Sequence, residues 1–208
     1  MATNSYALTT IDRIKSKLGM TTTQSDTMLT RIVYACTDYI ENACSQRFQR
    51  TTYTNELYDG SNIDGSPKSM LFLKNGSVTT ISSFQYRTGS KTSATWVDFQ
   101  ADTYQEMLAL GVIRVRLPSG LQNIRISYIA GYLIDFANEN DPALHTLPFD
   151  ITDLCERLAI KYYKRRESEG RSAESFGSGG GQSSITWKDD LSDEDKTVIG
   201  NYARTEFV

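Results

Sequence analysis

The sequence predicts an α+β fold: mostly a helical bundle, with a small antiparallel β-sheet insertion and a flexible C-terminal arm. Three observations predict it. Apolar residues recur at steps of three and four towards both ends of the chain. They alternate at a step of two between Thr51 and Gly131. A Gly/Ser tract then separates the last helical stretch from what precedes it. The implied organisation is residues 1–50 as N-terminal helices of the bundle and 51–132 as a β-rich insertion. Residues 133–170 then form the closing bundle helix with its lead-in loop, and 171–208 a linker and arm.

Thr9-Thr10 opens a short helix with Ile11, Ile14 and Leu18 on one face, and Gly19 stands where a left-handed C-cap belongs. Ser25 is the N-cap candidate of a longer helix reaching about Cys44. Its stripe is Met28, Leu29, Ile32, Val33, Cys36, Tyr39, Ile40 and Ala43. The period then changes. Thr51–Tyr58 is rich in Thr and Tyr and reads as a strand that stops at Asp59-Gly60. Met70–Leu73 is a short apolar run, and strand candidates follow at Ile81–Arg87, Thr95–Phe99, Val112–Leu117 and Asn123–Ala130. The last alternates most clearly, with Ile124, Ile126 and Tyr128 facing one way and Arg125 and Ser127 the other.

Helix returns after Pro148. Asp150 is read as its cap, and Ile151, Leu154, Cys155, Leu158, Ala159, Tyr162 and Tyr163 as its apolar face. Lys164-Arg165-Arg166 complement the dipole at its end. Residues 170–184 read as a flexible linker. A short strand Ile185-Thr186-Trp187 and a final helix capped by Ser192 follow.

Composition narrows the function. With 208 residues and 39% hydrophobic residues, the chain can close a core without staples. Its 22 basic and 25 acidic residues give a net charge of −3, which argues against a surface that grips nucleic acid throughout. No apolar run is long enough for a membrane span, and the N-terminus is not expected to be a signal peptide. Cys36, Cys44 and Cys155 are odd in number and widely spaced. They read as reduced core thiols, with Cys36 and Cys44 on one helical face.

No catalytic constellation emerges, so an enzyme is not expected. His145 is the only histidine and lies in a loop between Pro142 and Pro148. Without a second histidine or paired cysteines, no metal site and no cofactor are expected. The glycine tract lacks the Lys-Ser or Lys-Thr of a phosphate loop. Asp189-Asp190 and Asp193-Glu194-Asp195 read as a solvated helix start or as a negative face for a basic partner. Lys161, Lys164, Arg165, Arg166 and Arg171 form a basic cluster: a solvated helix end or a contact patch for a subunit or phosphate. The alternative reading of the whole chain is therefore a small nucleic-acid-binding module using that patch. The arm carries Ile185, Trp187, Val198, Ile199, Tyr202 and Phe207, more apolar surface than a free tail carries, so a partner surface is expected for it.

The order of these segments resembles a known family. A long helix ends in Tyr39-Ile40-Glu41-Asn42, and a strand ends in Tyr58-Asp59-Gly60. Ile124-Arg125-Ile126-Ser127-Tyr128-Ile129-Ala130-Gly131-Tyr132 follows the β-rich insert. The proline-led helix contains Tyr162-Tyr163-Lys164-Arg165-Arg166-Glu167, and Asn201-Tyr202-Ala203-Arg204 closes the chain. Together these look like the head–tail connector proteins of tailed bacteriophages, also called adaptor or head-completion proteins. Ile199-Gly200-Asn201 departs from the family's usual ending. The resemblance implies a virion protein of the phage neck, assembled in the host bacterial cytoplasm. It implies a homo-oligomeric ring of about twelve copies beneath the portal protein. That ring extends the DNA channel without reading sequence and receives the next tail, stopper or nozzle protein. Independently of the resemblance, the arm's apolar surface leads us to expect Ile185–Val208 to dock on the portal or an adjacent subunit, the alternative being an arm that folds back on its own bundle.

Overall fold

A computed structural model describes residues 7–89, 93–165, 173–178, 181–186 and 191–204. Among the described residues there are four α-helices: α1 (Ile11–Leu18), α2 (Asp26–Cys44), α3 (Phe149–Arg165) and α4 (Asp193–Tyr202). Nine strands accompany them: β1 (Thr51–Tyr58), β2 (Met70–Phe72), β3 (Val78–Thr88), β4 (Thr95–Asp98), β5 (Tyr104–Met107), β6 (Val112–Val115), β7 (Ile124–Ala130), β8 (Ala173–Ser178) and β9 (Gly181–Thr186). The fold is α+β. The expectation of a mostly helical bundle needs correction, because strands stand beside the helices in comparable extent. The chain divides into two units, one of residues 1–43 and 147–202, the other of 44–146 and 203–208.

The helical unit follows its apolar periodicity. Thr10 caps α1, its side chain accepting from the Arg13 N–H, and Gly19 ends it at φ 68°. On α2, Leu29, Val33, Cys36 and Ile40 are buried, while Met28 and Tyr39, from the same expected stripe, remain 43% and 40% exposed. The stripe is therefore narrower than its apolar letters suggest. The inner face of α3 is Ile151, Leu154, Cys155, Leu158 and Ala159. This helix begins at Phe149, so Asp150 sits inside its first turn rather than before it. As expected of core thiols, Cys36 and Cys155 are buried; burial pushes the Cys36 thiol up to about 12 and that of Cys155 higher still.

In the β unit, β1-β7-β3-β4 form one antiparallel sheet and β2-β6-β5 a second. Strand β7 is central, and Ile124, Ile126, Tyr128 and Ala130 are fully buried, as its alternation predicts. Those residues join Phe84, Leu71, Leu73, Ile113, Val115 and Leu117 in one core. Strand β1 bulges between Tyr53 and Glu56, where Asn55 takes φ 55° and its N–H bonds Ser127 Oγ at 3.0 Å. Strand β5 was not expected: Tyr-Gln-Glu-Met carries no β-branched residue, and pairing with β6 recruits it.

The Gly/Ser tract also differs from expectation. Strands β8 and β9 pair antiparallel from Ala173↔Thr186 to Ser178↔Gly181, so most of the expected linker is a β-hairpin. Backbone pairing needs no large side chain, which is why the composition concealed it.

Candidate interaction surfaces

Helix α3 carries two adjacent charged residues that secure different parts of the helical unit. Glu156 faces the start of the chain. It accepts from Thr9 Oγ1 at 2.9 Å and Arg13 Nε at 2.6 Å, and pairs with Lys17 Nζ at 2.6 Å. Its side chain is 1% exposed. Burial acts to raise the carboxyl's pKa. The hydrogen bonds from Lys17, Arg13 and Thr9 outweigh it and hold the group below the usual range. Reciprocally, the bond to Glu156 raises the Lys17 pKa.

Arg157 faces α4. Its guanidinium pairs with Asp195 at 2.9 Å, and with Glu194 and Asp153 at 3.3 Å. Asp195 is positioned by a capping box: its N–H donates to Ser192 Oγ at 3.1 Å, and its carboxylate accepts from the Ser192 N–H at 3.3 Å. Ser192 is thus the cap the sequence indicated. At the other end of α4, Tyr202 Oη donates to Asp150 Oδ1 and Oδ2 at 2.9 and 3.0 Å.

These contacts locate the expected arm residues. Val198, Ile199 and Tyr202 lie on α4 and are half-buried. Ile185 belongs to β9 by its backbone. Trp187 and Phe207 lie outside the described residues, as do Asp189 and Asp190. Of the basic cluster, Lys161, Lys164 and Arg165 occupy the last turns of α3, with Lys164 exposed and the other two half-buried. Arg166 and Arg171 lie outside the described residues.

The chain end occupies a seat in the β unit that the sequence did not reveal. The Arg204 N–H donates to Cys44 O at 2.9 Å, and its Nη1 donates to Leu110 O at 3.1 Å. A Cβ at Gly76 would lie 2.5 Å from that nitrogen, and one at Gly111 (φ 61°) 3.1 Å from both terminal nitrogens. A side chain at either position would push the guanidinium from its place, and the left-handed backbone at Gly111 favours glycine in any case. Desolvation lowers the Arg204 pKa, opposed by attraction to the Tyr128 and Tyr58 phenols. Both phenols donate to Glu56 Oε2, at 2.8 and 2.7 Å. Burial pushes Tyr128 up to about 12 and Tyr58 further. Glycines at positions 76 and 111 were the available signal, but nothing in the sequence links them to position 204.

The opposite chemistry marks one loop pair of the β unit. Loops 59–68 and 117–123 are stitched by Gly60 N–H to Gly120 O at 2.9 Å, Gly120 N–H to Ser61 Oγ at 2.7 Å and Gln122 N–H to Asp59 Oδ1 at 2.6 Å. They hold out Ile63 and Leu121, which are 85% and 67% exposed. These are the two most exposed large hydrophobic residues among those described.

His145 is 5% exposed, and its Nδ1 accepts from the Asp135 N–H at 3.1 Å, a structural position in its loop. Among the described residues, no group of three His, Cys, Asp or Glu side chains is placed to hold a metal ion. No described helix is long and apolar enough to cross a membrane.

A family model described as head completion protein matches residues 7–205. Among solved structures, the chain is similar to one from the "Neck of empty GTA particle computed with C6 symmetry". Identity is 16% and the TM-score 0.51, covering 95% of this chain and 90% of that one. At that identity the likeness is one of fold. No curated protein matches the chain.

Proposed function

The chain belongs to the head completion protein family, and on that premise we propose that it is a non-enzymatic head–tail connector, a structural subunit of the virion neck. The observation that carries this reading is the extent of the family match. It runs from residue 7 to residue 205 and so takes in both units and the last helix. The fold shared with a chain of a symmetric neck supports the same role.

The finer reading is a homo-oligomeric ring, taken as twelve copies, seated beneath the portal protein and extending the DNA channel. Sixfold symmetry in the related neck suits a closed ring of six or twelve subunits. The net charge of −3 suits a channel wall past which DNA slides, because the 22 basic groups are outnumbered by 25 acidic ones. The exposed Ile63 and Leu121 offer a contact for the next tail or stopper component. The arm surface of Ile185, Trp187, Val198, Ile199, Tyr202 and Phe207 remains the proposed contact with portal or a neighbouring subunit.

The test is particle assembly without the chain. Electron microscopy should then show DNA-filled heads and separate tails, and supplying the protein should restore joined particles. Normal tailed particles in its absence would overturn the reading.

A further inference from the structure

Among the described residues, the β8–β9 hairpin is a two-stranded sheet that pairs with no third strand. An isolated two-strand ribbon is marginal in water; it needs another strand or a helix against it. Half of its paired residues are Gly or Ser, and such strands hold their register weakly and accept alternative partners. Meanwhile β1 stands at the end of its sheet order, with one backbone edge unpaired among the described residues. At eight residues β1 is the longest edge strand among the described residues, and the only one able to match all six residues of β8 or β9. Strands β2, β4 and β5 offer three or four.

We propose that the β8–β9 hairpin of one copy adds to the outer edge of β1 of a second copy, extending the four-stranded sheet across the subunit boundary. The proposal rests on the reading of the chain as a subunit of a symmetric neck. A ring needs heterologous contacts, in which each copy supplies two different, complementary surfaces. A free-edged ribbon and an unpaired strand edge are such a pair, and both belong to this chain. Backbone hydrogen bonds supply the attraction without demanding large side chains, which suits the Gly/Ser composition. The bulge at Tyr53/Glu56 increases local twist, and two-stranded ribbons are the most strongly twisted sheets, so the two shapes agree. Exposed Thr51, Thr52 and Thr54 give the edge a polar face that stays soluble before assembly.

Cysteine pairing tests it directly. One preparation carries Thr54→Cys on β1 and another Ser184→Cys on β9, with Thr52→Cys and Ser183→Cys as register alternatives. The three native cysteines are buried and do not compete. Assembled necks containing both variants are oxidised and resolved under denaturing conditions. Covalent dimers at least tenfold above those from either variant alone are expected. A chain carrying both substitutions should give a ladder of multimers. If every combination stays at the single-variant background, or the double variant links only within itself, the inference is overturned. Covalent products with a different protein overturn it equally. Head–tail joining is scored in the same particles: joined particles without cross-links reject the hairpin contact and leave the connector role standing, whereas unjoined heads in the absence of the wild-type chain remain the mark of that role.

Discussion

Glu156 and Arg157 are neighbours on one helix, yet they hold their partners in opposite ways. The Glu156 carboxylate is buried and receives three donors from the first turns of the chain. Arg157 is 34% exposed, and its partners Asp195, Asp153 and Glu194 are 12%, 47% and 76% exposed. Coulomb attraction is worth several times more where water is excluded, and a buried charge cannot lose its partners cheaply. The contrast teaches that α1 is held through a carboxylate fully removed from water, whereas α4 is held through a cation that shares its charge among one buried and two water-exposed carboxylates. On the proposed reading of the arm as a subunit contact, that asymmetry would leave α4 the readier of the two helices to exchange partners.

The largest break in the comparison is Glu156→Ala. Breaking a buried ion pair costs about 3–5 kcal/mol. Arg13 and Lys17 are 33% and 44% exposed and can turn to water, so about 2 kcal/mol is expected. Urea unfolding followed by circular dichroism measures it; a loss below about 0.5 kcal/mol would show that the clamp is no stronger than a surface pair.

The same carboxylate sets a pH dependence. Its pKa in the folded chain is held below the ordinary glutamate value of about 4.3. Its contribution is therefore fully present above that value and is lost as pH falls through the lower folded pKa. Wild-type stability should drop more steeply below about pH 4.5 than that of Glu156→Gln. Parallel curves for the two proteins would remove Glu156 as the cause.

How much of this was legible beforehand depends on sequence distance. Ile124, Ile126 and Tyr128 announced β7 because a step of two is a local signal. Cys36 and Cys44 announced their shared burial for the same reason, through helical spacing. Ser192 was legible as a cap because its partner, Asp195, lies three residues away. The Glu156 clamp was not, since Thr9 and Arg13 lie more than a hundred residues from it. The seat of Arg204 depends on what Gly76 and Gly111 lack, and an absent side chain leaves no periodicity to read. Strands β8 and β9 were hidden because Gly and Ser suggest coil while their backbones still pair.

On the weaker side of the comparison, Asp195→Asn removes the charge that meets Arg157 while keeping a side chain able to bond Ser192. Arg157 is 34% exposed although the Asp195 side chain is only 12% exposed, so about 1 kcal/mol is expected, seen as faster amide exchange within α4 and little change in α1. At 1 M salt the Debye length is about 3 Å, and most of the difference between wild type and Asp195→Asn should vanish. Exchange in α1 that rises equally would mean the two ends of the helical unit open together, contrary to the asymmetry.

The smallest effect belongs to Tyr202→Phe, and it sharpens the comparison most finely. The phenol donates to both oxygens of Asp150, a charged acceptor in the first turn of α3. Hydrogen bonds to charged groups contribute about 1.5–3 kcal/mol when buried. This one is exposed, and Asp150 keeps its bond from the Ile151 N–H at 2.9 Å, so water replaces the lost donor and about 0.5 kcal/mol is expected. Because the arginine pair holds the start of α4 and the tyrosine holds its end, the two losses should add when combined. The double variant should then exchange α4 amides about tenfold faster, as about 1.5 kcal/mol implies. A double variant no worse than Asp195→Asn alone would show that Tyr202 contributes nothing once the start of the helix is released, and that α4 is held at one end only.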